Sequence, residues 1–290
     1  MSVVQRFAVP IDLHTHSSIS DGTQTPEELV RAAQQAGLGT VALTDHDSSK
    51  GWAEAAEAAR QERITLIPGM ELSTKVGGTS VHMLAYLFDP ENVELVEELQ
   101  RIREARRTRA ESMVSRIGRD YDFTWDDVVA QSAVGTTLGR PHIADALVAR
   151  GHATSRKDAF AGILNFRHGY YEPHYAPDPV TGARLIRAAG GVPVLAHPAT
   201  RGIEHVIDEQ RLAELVDAGL AGLEIDHPEN EPSGMARLRE LAVEHDLIVT
   251  GSSDYHGTGK VNRLGECTTA PDALARIIEQ ATGSEPVYPD

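Results

Sequence analysis

Seven short apolar runs recur along this chain, and almost every one ends on, or carries, an imidazole or a carboxylate. The runs are 9–13, 40–44, 64–68, 80–87, 192–196, 222–226 and 247–251. Amphipathic stretches separate most of them, the alternation expected of β/α units around a parallel sheet. The first run leads into His14, His16 and Asp21, the second into Asp45, His46 and Asp47, and the third ends at Glu71. The fourth carries His82, and the fifth ends at His197. The sixth carries Glu224 and Asp226, and the seventh opens into Asp254 and His256. In a (β/α) barrel the loops that follow the strands meet at one rim, and chemistry collects there. Six histidines and three or more carboxylates sharing that rim would be costly to bury without a cation, so the pattern predicts a metal centre.

Single pieces of the pattern are less decisive. The spacing of His14 and His16 puts both imidazoles on one side of an extended chain, which suits a metal ion but equally a turn. Asp47 or Ser48 could cap a following helix, so Asp47 is not nominated as a ligand. His82 alone reads as a core histidine, and Glu71 alone as a strand end.

The rest of the chain has clear punctuation. Thr25, Pro26 and Glu28 form a capping-box signature at the start of a helix that Gly37 ends. An alanine-rich helix is expected over 52–60. After Pro90 the alternation breaks. One long charged helix is expected over 92–118, with shorter ones at 125–131, 141–149 and 155–164, and a proline- and aromatic-rich linker at 170–179. This predicts a barrel built from 1–92 and 180–290, with 93–179 as a helical insert that caps the substrate.

A chain of 290 residues, 41% hydrophobic, can bury a full core. It has no long apolar run and no basic-then-apolar leader, so a cytoplasmic protein with no membrane partner is expected. The single cysteine, Cys267, excludes a disulfide framework and a thiolate metal site. A net charge of -16 argues against a broad grip on duplex DNA but leaves room for a nucleotide or a short strand end. The arginines at 101, 103, 106, 107 and 109 lie among Glu97, Glu98 and Glu104, and intrahelical pairing is the expected reading. His152, His168, His174, His205, His227 and His245 read as surface or core residues, and Glu224 as a group that orients ligands.

The motif residues resemble the polymerase-and-histidinol-phosphatase (PHP) family of metal-dependent phosphoesterases. The matching pieces are Asp12-Leu13-His14-Thr15-His16, Ser20-Asp21-Gly22, Leu43-Thr44-Asp45-His46-Asp47, Gly69-Met70-Glu71, His82, Ala196-His197-Pro198 and Ser253-Asp254-Tyr255-His256. The resemblance implies a distorted seven-stranded (β/α) barrel and two to three divalent ions. His14, His16, Glu71 and Asp254 would hold one ion. Glu71, His82 and His197 would hold a second, and Asp21, His46 and His256 a third. Asp21 stands where many relatives carry histidine.

The chemistry of clustered divalent metals predicts in-line attack by a metal-bridging hydroxide held through Glu71, with no protein nucleophile required. A shell of imidazoles and carboxylates suits manganese, iron or zinc. Gly139-Arg140-Pro141-His142 resembles one subgroup that acts on nucleotides, removing the 3′-phosphate of nucleoside 3′,5′-bisphosphates or trimming short 5′-phosphorylated RNA. Arg140, His142 and Arg201 are therefore candidate substrate contacts, although a structural ion pair for Arg140 and a helix cap for His142 stay open. Three rival readings are a phosphatase for a metabolite such as histidinol phosphate, an amidohydrolase, and a non-catalytic regulatory module.

Overall fold

The computed structural model describes residues 10–132, 135–200 and 207–289. Seven strands form one sheet in chain order: β1 (Ile11–Asp12), β2 (Thr40–Leu43), β3 (Thr65–Val76), β4 (Thr79–Tyr86), β5 (Val192–Leu195), β6 (Gly222–Asp226) and β7 (Ile248–Gly251). The sheet curls into a nearly closed barrel. The gap between its ends is laced by His16 N donating to Tyr255 O at 2.8 Å and Thr269 N to Ile11 O at 2.9 Å. Position 9, the expected start of the first run, lies outside the described residues.

Side chains alternate across the strands. Ile11, Leu13, Ala42, Ile67, Leu84 and Val194 share one buried cluster, while Met70, Leu72, Met83, Leu195 and Leu223 pack in another, with the covering helices. The helix α1 (Pro26–Gln35) carries the predicted capping box: Thr25 Oγ1 accepts from Glu28 N at 3.2 Å, and Glu28 Oε2 accepts from Thr25 N at 2.9 Å. The next helix, α2 (Trp52–Glu62), has Gly51 at its N-cap with no side-chain cap, so neither Asp47 nor Ser48 caps it.

Two features depart from the expected parallel sheet. β3 runs past Glu71 to Val76, although Pro68-Gly69 reads as a break. Pro68 sits at the last register position shared with β2 (Leu43↔Pro68), so its missing N–H falls where that ladder ends. β4 is antiparallel to both neighbours, joined to β3 by a Gly77-Gly78 turn. Glu71 is therefore placed within a long strand rather than at a strand end.

Between β4 and the next barrel helix, α7 (Pro179–Ala188), lie α3 (Val93–Ile117), α4 (Trp125–Val129), α5 (Arg140–Ala149) and α6 (Arg156–Ala161). Leu95, Leu99 and Ile102 of α3 join the barrel's core. Farther along, Met113, Val114 and Ile117 pack with Val128, Ile143 and Leu147 in a separate cluster. The expected linker has no regular structure until Asp178 caps α7 and lies against β3, where Lys75 N donates to Pro177 O at 2.9 Å. The covering helices α8 (Glu209–Asp217), α9 (Pro232–Glu244) and α10 (Pro271–Gln280) complete the outer layer. Among the described residues no helix is long and apolar enough to cross a membrane.

Candidate metal centre

The rim residues are placed by backbone that stays paired beyond the regular strands. After β1 and β2 the two loops zip together, with Thr44 N donating to Thr15 O at 2.9 Å and Thr15 N to Thr44 Oγ1 at 3.1 Å. Asp45 then gathers the turn that follows His16. It accepts Ser17 N at 2.8 Å, Ser17 Oγ at 2.6 Å and Ser20 Oγ at 2.6 Å. Gly22 closes this turn where no side chain fits, since a Cβ would lie 2.2 Å from His16 O. Beyond β2 the chain runs beside β3, and Asp47 N donates to Glu71 O at 3.1 Å. Asp47, His197 and Asp254 all have positive φ (52°, 32° and 53°), a strained conformation for residues with side chains that concentrates at functional rims.

Glu71 is the hub. Its Oε2 lies 3.3 Å from His14 Nε2, 3.1 Å from His16 Nε2 and 3.2 Å from His46 Nδ1. Its Oε1 lies 2.6 Å from His82 Nδ1 and 3.1 Å from His197 Nε2. Asp254 Oδ1 is 3.4 Å from His14, His16 and His256. Asp21 completes the far side, 3.1 Å from His256 Nε2 and 3.7 Å from His46 Nε2.

All nine predicted ligands thus come together. Their donor atoms fall into groups that could each hold an ion: His14, His16, Glu71 and Asp254; His16, Asp21, His46 and His256; and His46, Glu71 and His82. His197 reaches the same Glu71 oxygen as His82.

The donor set fits divalent metal. His14 Nε2 and His16 Nε2 face each other at 3.0 Å, and buried His46 Nδ1 has no hydrogen-bond partner. Lone pairs aimed at common points are the arrangement a cation needs.

The electrostatics agree. Burial opposes charge on His14, yet Glu224, Glu71 and Asp254 together hold its imidazole well above the usual range. His16 is likewise raised to about 9 against burial, by Asp254 and Glu71. Burial would raise the Asp254 carboxyl, but Lys260 first, then His14 and His256, hold it well below its usual range.

Glu224 plays the expected orienting part. It accepts His14 Nδ1 at 3.0 Å, His197 N at 2.9 Å and Ser252 Oγ at 2.7 Å, fixing which nitrogen His14 turns to the rim. His142 is buried and its Nδ1 accepts from Gly139 N at 3.1 Å, so it caps α5. Arg140 lies over the rings of Phe160 and Tyr171, 5.2 and 5.4 Å from their centroids. Arg201 lies outside the described residues.

Sequence reasoning missed several neighbours. Lys260 Nζ binds Asp254 Oδ2, and His227 Nε2 lies 3.6 Å from the same oxygen. His227, which reads from the sequence as a surface or core residue, is a buried member of a His14, Glu224 and His227 group. Its position just after the sixth run was the available signal. The arginine run also divides. Arg101 and Arg107 pair with Glu98, Glu104 and Glu111 along the helix as expected. Arg103 and Arg106 turn to the barrel and bind Asp47 instead.

A family model described as the PHP domain matches residues 12–120. A 3′,5′-nucleoside bisphosphate phosphatase of Chromobacterium violaceum is 30% identical over 254 residues, 87% of this chain and 89% of the relative. The 5′-3′ exoribonuclease Rnm of Escherichia coli K12 is 30% identical over 253 residues, 86% of each chain. A solved structure from Bifidobacterium adolescentis, classed as a metal-dependent phosphoesterase, is 41% identical with a TM-score of 0.91. That match covers 94% of this chain and 98% of the other. With the barrel in place and similarity running through nearly the whole chain, this protein belongs to the PHP family of metal-dependent phosphoesterases.

Proposed function

We propose that the protein hydrolyses phosphate monoesters of nucleotides in the cytoplasm, foremost the 3′-phosphate of nucleoside 3′,5′-bisphosphates. The observation that carries the reading is Glu71, whose two oxygens reach five imidazoles between them. His14, His16, Glu71 and Asp254 would hold one ion, Glu71, His82 and His197 a second, and Asp21, His46 and His256 a third. Manganese, iron or zinc suits this mixture of donors. Bound divalent ions lower the pKa of water, neutralise phosphoryl charge and stabilise the departing alkoxide.

The protein's own groups supply position. Glu71 would be shared by two of these ion sites. Glu224 holds the tautomer of His14. Lys260 holds the outer oxygen of Asp254, leaving Oδ1 to face the centre. Arg140 offers a planar cation for substrate phosphate, braced by Phe160 and Tyr171. Residues 93–179 would cap the substrate, with Arg140 carried on that cap. The amidohydrolase alternative is disfavoured because Glu71 takes the bridging position that a modified lysine holds in that class.

Two relatives act on nucleotides or RNA by their names, which supports the nucleotide reading. The test is phosphate release by the manganese-loaded protein from adenosine 3′,5′-bisphosphate, AMP, short 5′-phosphorylated RNA, histidinol phosphate and an aryl phosphate. Preference for the bisphosphate is expected. Preference for the RNA would move the assignment to exoribonuclease, and preference for histidinol phosphate would overturn the nucleotide reading. No hydrolysis with manganese, iron or zinc would favour a regulatory module.

A further inference from the structure

Asp21 stands farther along the chain from its strand than any other candidate ligand, since β1 ends at Asp12 and the turn 17–22 carries the carboxylate. Aspartate has a single methylene between backbone and carboxylate, so its oxygens go where this turn is put. Asp45 holds Ser17 and Ser20 of the turn. Its other carbonyls are held by the insert. Thr136 Oγ1 donates to Ser18 O at 3.1 Å, Thr137 N to Ile19 O at 2.9 Å, and Arg156 Nη1 to Asp21 O at 3.0 Å.

Arg156 opens α6, and Asp145 of α5 engages the rest of its guanidinium. The contacts are Nε to Oδ1 at 2.5 Å and Nη2 to Oδ2 at 2.6 Å. This two-point contact fixes the plane of the fork and leaves Nη1 directed at Asp21. The pair is largely withdrawn from water, with side chains 17% and 26% exposed. The same Nη1 lies against the loop of a second candidate ligand. Gly259 ends the turn 257–259 that follows His256, and a Cβ there would lie 2.2 Å from Arg156 Nη1. The two loops also bind each other, Thr23 N donating to His256 O at 3.2 Å and Thr258 N to Thr23 Oγ1 at 2.9 Å. One guanidinium of the insert thus sits where the loops of Asp21 and His256 meet. Those two residues, with His16 and His46, form one group of converging donors. An ion pair that served only to join α5 to α6 would need neither the bond to Asp21 O nor a glycine beside its third nitrogen.

We propose that Arg156, oriented by Asp145, is a positioning residue for the third ion. It docks the insert on the loops of Asp21 and His256, and the ion is held tightly only while the insert is docked. The inference rests on the third ion site proposed above. The coupling is reciprocal, because docking that strengthens the hold on the ion makes the ion strengthen docking. Capping of the substrate and completion of the metal centre then become one event.

The experiment uses the full-length protein, stripped of metal with a chelator and titrated with manganese while free manganese is followed by electron paramagnetic resonance. Asp21→Asn identifies the third ion by removing one of its ligands. Arg156→Gln should weaken that same ion about 10–100-fold, the usual effect of losing a group that orients a ligand. The other ions should keep their wild-type affinity. Asp145→Asn retains the shape of the clamp and should act in the same direction, which keeps the test open if Arg156→Gln does not fold. Adding Arg156→Gln to Asp21→Asn should cost nothing further, since both act on one ion. In hydrogen exchange, manganese should slow the amides of residues 135–161 in the wild type and slow them less in Arg156→Gln. Wild-type affinity for every ion in both clamp variants overturns the proposal, as does equal weakening of all ions. If Asp21→Asn itself binds manganese as the wild type does, the third ion site fails and takes the proposal with it, a result distinct from failure of the clamp alone.

Discussion

Asp47 Oδ2 lies 2.9 Å from Arg106 Nε, and the two side chains are 0% and 10% exposed. The Arg106 Nε–H is not directed at the carboxylate, so the contact is an ion pair whose hydrogen bonds are completed elsewhere. Asp47 accepts Ser73 N at 2.7 Å and Ser73 Oγ at 2.8 Å, and Arg103 Nη1 reaches Asp47 O at 2.7 Å. One aspartate thus binds the loop after β2 to β3 and to α3. Replacing one partner of a buried pair leaves the other charge stranded, which costs about 3–5 kcal/mol. Asp47→Ala should lose that much in urea denaturation, and Asp47→Ala with Arg106→Met should lose less. A single-variant loss below about 1 kcal/mol would show that the pair does not anchor α3.

Glu224 predicts a loss of metal affinity without a loss of ligands. His14 Nδ1, His197 N and Ser252 Oγ all donate to its carboxylate. Either orientation of a glutamine amide would set its NH₂ against one of these donors. Glu224→Gln should therefore weaken metal binding about 10–100-fold, read by competition with a chromophoric chelator. Wild-type affinity would remove the orienting role.

Glu71→Ala should abolish turnover and lower bound metal, measured by mass spectrometry of the purified protein, because two of the proposed ion sites share that carboxylate. His14→Ala should do the same for turnover. Activity near wild type in either variant would exclude the metal mechanism.

Arg140→Ala separates binding from assembly of the centre. Metal content should match wild type while KM for the preferred nucleotide rises at least about tenfold, the loss of a charge-assisted contact of about 1.5–3 kcal/mol. Unchanged kinetics would make its stacking on Phe160 and Tyr171 a purely structural contact.

What the sequence made legible was local or repeated. Thr25, Pro26 and Glu28 meet within one helical turn, so their capping box needs no tertiary information. The rim ligands were legible because each follows or sits in an apolar run, and the barrel turns that regularity into convergence. The extension of β3 beyond Pro68-Gly69 was hidden because those residues are ordinary strand breakers. Here the proline falls where its neighbouring ladder stops. The reversal of β4 depends on which edges pair, a tertiary outcome. Asp47 and Arg106 read as a cap and as part of an intrahelically paired run because their partners are 26 or more residues away. Lys260 had no signal beyond lying shortly after His256.

The antiparallel pairing of β3 with β4 makes this hairpin a ruler. Glu71 and Lys75 share a face, and register sets His82 opposite Ser73 and Ser80 opposite Lys75. Lengthening both strands by two residues would keep every side chain on its present face and move the hairpin tip outward by about 6.6 Å. Lengthening by one would turn the tip residues to the opposite face. The reach of the hairpin beyond the candidate metal centre can therefore change only in paired steps, so relatives that differ by two residues in this hairpin should measure out longer or shorter substrates with the same chemistry.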